Sequence, residues 1–323
     1  MRSLVTGGAG FIGSHLTDAL VELGDTVLVF DDLSTGSREN LAGALDRGAM
    51  LQVGDITDAG AVKAAFAELR PERAFHLAAQ ADVRRSVADP GFDARVNVLG
   101  TINVLESARV GAVPVVFAST GGAIYGEGEG RALPFTETAE CMPEAPYGLS
   151  KYAGEGYLDL YRRARDLPGV ALRFGNVYGP RQDPHGEAGV VAIFCGALIG
   201  GGVPTVFGDG RQTRDYVYVG DVVQALLALA QRLADAGTSL GGPFNVGTGV
   251  ESTVLDLFER LTGAAGRAGL APIHAPARPG EIQRIALDAA AAGRELGWRP
   301  RTGFGEGLEQ TLAALAEQLD NAG

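Results

Sequence analysis

The chain has 323 residues and a formal net charge of −12, long for one hydrophobic core and ample for two small ones. Hydrophobic residues at 46% and charged residues at 20% are ordinary globular usage and exclude a disordered chain. The acidic balance argues against a nucleic-acid surface, no apolar run reaches the length of a membrane span, and neither partner is expected. Cys141 and Cys195 are too few for a disulfide framework, and no signal-peptide pattern precedes the first apolar run, so a cytoplasmic protein is expected. His15, His76, His185 and His274 lie far apart without metal-ligand spacing, so no metal site is expected.

In chain order, short β-branched runs alternate with amphipathic stretches, the pattern of an α/β fold with a parallel sheet flanked by helices. Residues 3–6 predict a strand, 12–23 a helix stopped by Gly24, and 26–30 a second strand ending in Asp31 and Asp32. Between the first strand and the helix stands Thr6-Gly7-Gly8-Ala9-Gly10-Phe11-Ile12-Gly13. It fits G-x-G-x-x-G through Gly8, Gly10 and Gly13, and G-x-x-G-x-x-G through Gly7, Gly10 and Gly13. Glycines permit a tight turn and let a pyrophosphate approach the backbone, where a helix N-terminus supplies N–H donors. Asp31, about twenty residues on, is placed to accept from adenosine ribose hydroxyls. A second carboxylate at Asp32 would repel a 2′-phosphate, so the expected cofactor is NAD rather than NADP. The plain alternative is a glycine turn with a solvated aspartate. Asp55-Ile56 reads as an adenine-edge contact or a helix cap, and Ala78-Ala79-Gln80 as a pyrophosphate floor or a plain strand end.

Further strands are predicted over 74–77, 113–118 and 170–174, and helices over 94–108 and after Pro146. The strand ending near Ala118 runs into Ser119-Thr120-Gly121-Gly122-Ala123-Ile124-Tyr125-Gly126. Hydroxyls there sit beyond the carboxyl end of the sheet, where ligands of such folds gather. Thr120, with Ser119 as the alternative, is the hydroxyl expected to bond a reacting oxygen; a Ser/Thr-rich strand end bonding its own backbone is the plain reading. Tyr147 and Lys151, four apart near a helix start, share one helix face. A phenol of ordinary pKa near 10 is a poor base at neutral pH, and an adjacent ammonium together with an oxidised nicotinamide would favour its phenolate. Beyond residue 175 the pattern loosens into glycine- and proline-containing loops with shorter elements. The division expected is 1–175 for an NAD-binding domain, with a segment near 215–250 returning to it, and 176–323 for a smaller lobe.

Together the glycine turn, the strand-end hydroxyls and Tyr147-x-x-x-Lys151 resemble the extended short-chain dehydrogenase/reductase family and, within it, the branch of UDP-glucose 4-epimerases. The likeness spans nearly the whole chain. It includes Asn97, the run Leu172 to Pro180, Arg214-Asp215-Tyr216-Val217 and Arg278-Pro279-Gly280-Glu281. The resemblance implies a Rossmann-type doubly wound parallel sheet with a smaller α/β substrate-binding lobe. It assigns to the cofactor Phe11, Ile12, Ser34, Thr35, Gly36, Leu77, Asn97, Ala118 and Phe174 besides the residues above. To a UDP-sugar it assigns Thr120, Tyr147, Asn176, Val191, Val206, Phe207, Arg214, Arg278 and Glu281, with the two arginines and Asn176 on the diphosphate. The arginines alone would read as surface residues, yet guanidinium groups in an acidic chain suit bidentate phosphate contact.

Related dehydratases and decarboxylases carry a carboxylate in the segment after the strand-end hydroxyls; here that place holds Gly121-Gly122. The chemistry implied is therefore NAD-dependent 4-epimerisation of a UDP-hexose, UDP-glucose or UDP-galactose, through a 4-keto sugar, with NAD retained. UDP-N-acetylhexosamine, with Ile285 near its boundary, and UDP-glucuronate, with Arg181 as its cation, are the alternative substrates. A non-catalytic NAD- and sugar-nucleotide-binding protein would lack the hydroxyl, the tyrosine or the lysine. The resemblance also implies a homodimer through the helices after Tyr147 and from Ala94.

Overall fold

The structure, a computed structural model, describes residues 1–184, 189–278 and 280–322. His185 and Pro279, which enter the sequence reading, lie outside the described residues. Among the described residues the strands are β1 Arg2–Thr6, β2 Thr26–Asp31, β3 Met50–Val53, β4 Arg73–His76, β5 Val115–Thr120, β6 Gly169–Phe174, β7 Asn176–Tyr178, β8 Thr205–Phe207, β9 Thr213–Arg214, β10 Tyr216–Tyr218, β11 Phe244–Val246, β12 Ser252–Thr253 and β13 Ile273–Ala275. The α-helices are α1 Phe11–Glu22, α2 Ala42–Asp46, α3 Ala59–Leu69, α4 Val83–Ala88, α5 Pro90–Ala94, α6 Gly100–Val110, α7 Gly121–Ile124, α8 Pro146–Arg165, α9 Val190–Ile199, α10 Val219–Ala236, α11 Val254–Ala264, α12 Ala290–Leu296 and α13 Phe304–Ala322.

Seven strands form one parallel sheet in the order β11-β6-β5-β4-β1-β2-β3. Runs such as Val27-Leu28-Val29-Phe30 are buried throughout because helices cover both faces. One apolar cluster joins α1 and α10 to the sheet, and another joins α3, α6 and α8 to its other face. The order reverses between β1 and β4, the switch point of a doubly wound sheet, where ligand crevices form beyond the strand ends. This is the expected Rossmann-type α/β fold.

After β6 the chain builds three two-stranded sheets, β7 with β10, β8 with β13 and β9 with β12. A separate apolar cluster there draws on α9, α11, α13, β8 and β10. Within the 215–250 segment, α10 packs on the large sheet and β11 pairs in parallel with β6.

Three expectations need correction. The second half is not merely loops and short elements: α10 has 18 residues and α13 has 19. The helix expected over 94–108 is preceded by α5 and passes through a π-helical turn, Arg95–Leu99, before α6 begins at Gly100. The π-turn holds Asn97 inward, 2% exposed, and such turns mark places where a helix re-aims a side chain. The strand expected over 113–118 begins at Val115 and extends through Thr120, so both candidate hydroxyls lie within its last turn of pleat. Among the described residues no helix is long and apolar enough to cross a membrane, and no group of three or more acidic, His or Cys side chains is arranged to hold a metal.

Candidate active site

The glycine turn lies at the switch point. Gly7 has φ +71, and a Cβ there would stand 2.5 Å from the Ala78 amide nitrogen, so the turn and the end of β4 cross closely. Gly36 similarly brings the 34–37 loop against the turn: its Cβ would meet the Ala9 carbonyl carbon at 2.7 Å, and the Ser37 amide donates to the Ala9 carbonyl at 3.1 Å. Gly10 begins α1 without a side-chain cap, leaving the first-turn amides of Phe11, Ile12 and Gly13 without a capping acceptor. A small-residue cradle under uncapped amides fits a pyrophosphate.

Asp31 sits beside that cradle, accepting from the amides of Ala9 and Leu33, both at 2.9 Å. Burial pushes its carboxyl up, opposed by those two amides, and the neighbouring Asp32 charge adds to the rise. Asp32 itself is exposed and accepts from the Ser34 amide at 2.9 Å, the turn role of an aspartate. Ser34 and Thr35 lie exposed on the same loop. Asp55 is exposed and accepts from the Thr57 amide at 2.7 Å, a local turn bond, while Ile56 is buried. Leu77, Ala78 and Ala79 leave β4 beside the turn. Gln80 is held by Asn97, whose Oδ1 accepts from the Gln80 amide at 2.9 Å and whose Nδ2 donates to the Gln80 carbonyl at 2.8 Å.

The strand-end hydroxyls separate cleanly. Ser119 Oγ donates to Glu155 at 2.5 Å and is 4% exposed, turned to the interior. Thr120 is near enough to the Tyr147 phenol to favour its charged form. In the register of β5 and β6, Thr120 lies beside Phe174. A Cβ on Gly122 would lie 3.5 Å from Asn176 Oδ1 and 3.8 Å from Thr120 Oγ1, so both polar atoms flank the same small space. Thr120, Tyr147, Phe174 and Asn176 are thus brought together at one strand end.

Pro146 opens α8 at its first position, where its missing N–H costs nothing, and Tyr147 and Lys151 stand one turn apart behind it. Lys151 is 3% exposed; its Nζ donates to the Ala118 carbonyl at 2.9 Å and lies 4.8 Å from the centre of the Phe117 ring. Burial pulls Lys151 down to about 8, against the negative charges of Asp93 and Glu155. Burial and the Asp93 charge push the Tyr147 phenol up to about 12, and Thr120 pulls it back. His76, pushed down to about 3 by burial and Lys151, is neutral and bridges Thr6 and Thr101 at 2.7 and 3.0 Å.

A second cluster lies on β8, β9, Arg278 and Glu281. The Arg278 guanidinium stands 3.9 Å from the centre of the Phe207 ring, and Arg214 pairs with Glu281 at 3.2 Å while donating to the Ile282 carbonyl at 2.7 Å. The two clusters are joined by the Asn176 amide, which donates to the Asp215 carbonyl at 2.7 Å. Val191 and Val206 are buried in the core of this part, so only their backbone is available to a ligand. Ile285 is likewise core, packed with Tyr125, Phe135 and Leu287. Arg181 pairs with Asp18 of α1 at 2.7 Å, which commits the cation considered for a sugar carboxylate.

Residues not singled out from the sequence support the site from behind. Glu155 binds Arg173 through both carboxylate oxygens at 2.6–3.1 Å, Arg173 donates to Tyr125 at 2.8 Å, and Tyr125 donates to Asn245 of β11 at 2.8 Å. Asp215 accepts from the amides of Thr248, Gly249 and Leu287. The one available signal was a charged residue inside an apolar run, as at Arg173.

A family model described as the NAD dependent epimerase/dehydratase family matches residues 3–247. The chain is 47% identical over 316 residues to a UDP-glucose 4-epimerase of Mycolicibacterium smegmatis, covering 97% of both chains. Among solved structures it resembles a UDP-glucose 4-epimerase of Thermotoga maritima with UDP-glucose, at TM-score 0.91, 43% identity and coverage of 99% and 100%. It also resembles a Thermus thermophilus UDP-glucose 4-epimerase in complex with NAD, at TM-score 0.85, 46% identity and coverage of 97% and 98%.

Proposed function

The chain belongs to the NAD dependent epimerase/dehydratase family, and from that premise we propose that it interconverts UDP-glucose and UDP-galactose by oxidation and re-reduction at C4. The observation that carries this reading is the Thr120–Tyr147 pair, with Lys151 one turn away and no carboxylate between residues 120 and 126. Elimination of water needs an acid and a base beyond the phenol; exchange of configuration needs neither.

Bound NAD supplies the acceptor for the C4 hydride and the donor for its return. The first-turn amides of α1 and Gly7, Gly10 and Gly13 would hold its pyrophosphate, Asp31 a ribose, and Gln80, Asn97, Phe174 and Lys151 its nicotinamide half. Tyr147, as its phenolate, takes the proton from the C4 hydroxyl, with Thr120 bonding the same oxygen, and a 4-keto sugar results. Arg214, Arg278 and Asn176 grip the diphosphate while the sugar turns to present its other face. Tyr147 then returns its proton to the C4 oxygen. Because the proton and the hydride are both returned, the cofactor stays bound through each turnover. Residues 1–175 with the 215–250 segment would form the NAD-binding part and 176–323 the nucleotide-sugar part. A homodimer and a cytoplasmic setting belong to the same reading.

Incubating the purified protein with UDP-galactose, and separately with UDP-glucuronate, without added NAD tests this by chromatography. UDP-glucose from the first is expected. A pentose or a 4-keto-6-deoxy product, or turnover of UDP-glucuronate alone, would overturn it.

A further inference from the structure

We propose that Glu127 is a positioning residue for the sugar nucleotide: its carboxylate fastens the turn that bears Glu281 and braces Arg214 to the loop that follows β5 and α7. The proposal rests on the epimerase reading for what Arg214 and Glu281 grip. Glu127 leaves the buried end of α7, just beyond Ile124 and Tyr125, both 0% exposed. Its Oε2 accepts from the Gln283 amide at 2.5 Å, and its Oε1 accepts from the amides of Arg284 at 3.0 Å and Glu129 at 2.8 Å. One carboxylate thus collects two consecutive amides of a segment distant in sequence. The Gly128 amide donates to the Arg284 carbonyl at 3.0 Å, and a Cβ on Gly128 would stand 2.3 Å from that oxygen, so the two chains lie in direct contact. Burial pushes the Glu127 carboxyl up, but the amides override it and hold it below the usual carboxylate range.

The fastened turn is the one that braces Arg214. The Gln283 carbonyl accepts from the Thr213 amide at 2.8 Å, the Ile282 carbonyl from Arg214 Nη1 at 2.7 Å, and Glu281 from Arg214 Nη2 at 3.2 Å. Glu251 holds the outer side, accepting from Arg284 at 2.6 and 2.9 Å and from the Thr213 hydroxyl at 2.6 Å. Past Arg284 the chain is fixed by packing, since Ile285 and Leu287 are core and the Phe135 amide donates to the Ala286 carbonyl at 2.8 Å. Glu281, Ile282 and Gln283 are not buried, so polar bonds set their place. A grip ordered before the ligand arrives spends less of the binding energy on ordering itself. The Glu127 charge acts the other way, because a carboxylate beside this turn repels an anionic diphosphate. Neutralising Glu127 therefore has opposite signs for a clasp and for a bystander charge.

Titration calorimetry of the NAD-loaded protein with UDP reads the grip without turnover. Glu127→Gln sets an amide group against amides, and Kd for UDP should rise about tenfold, the effect of one lost charged hydrogen bond. KM for UDP-galactose should rise with it while kcat stays within about twofold. Glu129→Gln removes an adjacent charge but no bond to residues 283 and 284, and should leave Kd at or below the wild-type value. Glu127→Asp keeps the charge and shortens its reach; it should also weaken UDP binding, and it carries the test if Glu127→Gln does not fold. Hydrogen exchange at the Gln283 and Arg284 amides should quicken in either Glu127 variant. UDP bound as tightly or more tightly by the Glu127 variants, or kcat lost with KM unchanged, would overturn the proposal while leaving the epimerase reading intact. Wild-type protein that does not bind UDP would overturn both.

Discussion

Two adjacent hydroxyls on β5 face different tasks, and substitution should separate them. Thr120→Val removes the partner of the Tyr147 phenol, and kcat should fall about 100-fold with little change in unfolding midpoint. Ser119→Ala removes a donor to the buried Glu155 carboxylate and should lower unfolding stability by about 1–3 kcal/mol in urea, with kcat changed only several-fold. Reversal of these effects would move the reacting hydroxyl to Ser119. Lys151 gives a test with its own sign. Its value in the fold, about 8, lies below the ordinary 10.5, so below pH 8 the buried ammonium costs the folded state its full penalty. The penalty fades as pH rises from about 8 towards 10.5. Lys151→Met should therefore abolish turnover yet raise stability at pH 7 by about 1–3 kcal/mol, checked by thermal melts. The residues that the structure gathers around the glycine turn and the end of β5 were largely legible in the sequence, because Gly7, Asp31, Tyr147 and Lys151 are spaced by local geometry. What spacing could not tell was direction: which of Ser119 and Thr120 turns inward, or that Val191 and Val206 point into a core.

Among elements, α8 carries the most. Its first turn presents Tyr147 and Lys151, and its next turn presents Glu155 to Arg173 of β6. Burial opposes the Arg173 charge, but the bonds to Glu155 override it and hold the guanidinium firmly protonated. Glu155→Gln should cost about 3–5 kcal/mol in urea unfolding, since it strands a buried cation, whereas replacing both partners by apolar residues should restore much of the loss. A loss under about 1 kcal/mol would mean that water reaches the pair. The pairing of Glu155 with Arg173 was beyond sequence reasoning because it joins a helix to a strand that spacing cannot relate. The π-turn around Asn97 was hidden for a similar reason: nothing in Arg95-Val96-Asn97-Val98-Leu99 breaks helical periodicity, and packing against Ser150 and Gln80 selects the wider turn.

At the scale of the whole molecule, the switch point between β1 and β4 places the glycine turn. At the other side of the cleft β6 hands the chain to β7, so Phe174 and Asn176 straddle the boundary between the large sheet and the small β7–β10 sheet. The alternation of strands and helices made the first half legible. The second half was less so, because its strands are two or three residues long and are defined by partners distant in sequence, as β8 is by β13. A cofactor retained through every cycle should travel with the purified protein. Acid release should yield close to one NAD per chain, and stripping it should lower the melting temperature by several degrees. Protein purified without NAD and melting unchanged on its addition would argue against retention. The central claim, hydride removed from C4 and returned to it, is tested most directly with UDP-galactose deuterated at C4 and no added NAD. The account predicts UDP-glucose of unchanged mass, with the deuterium still at C4. Product that has lost its deuterium to solvent would contradict it.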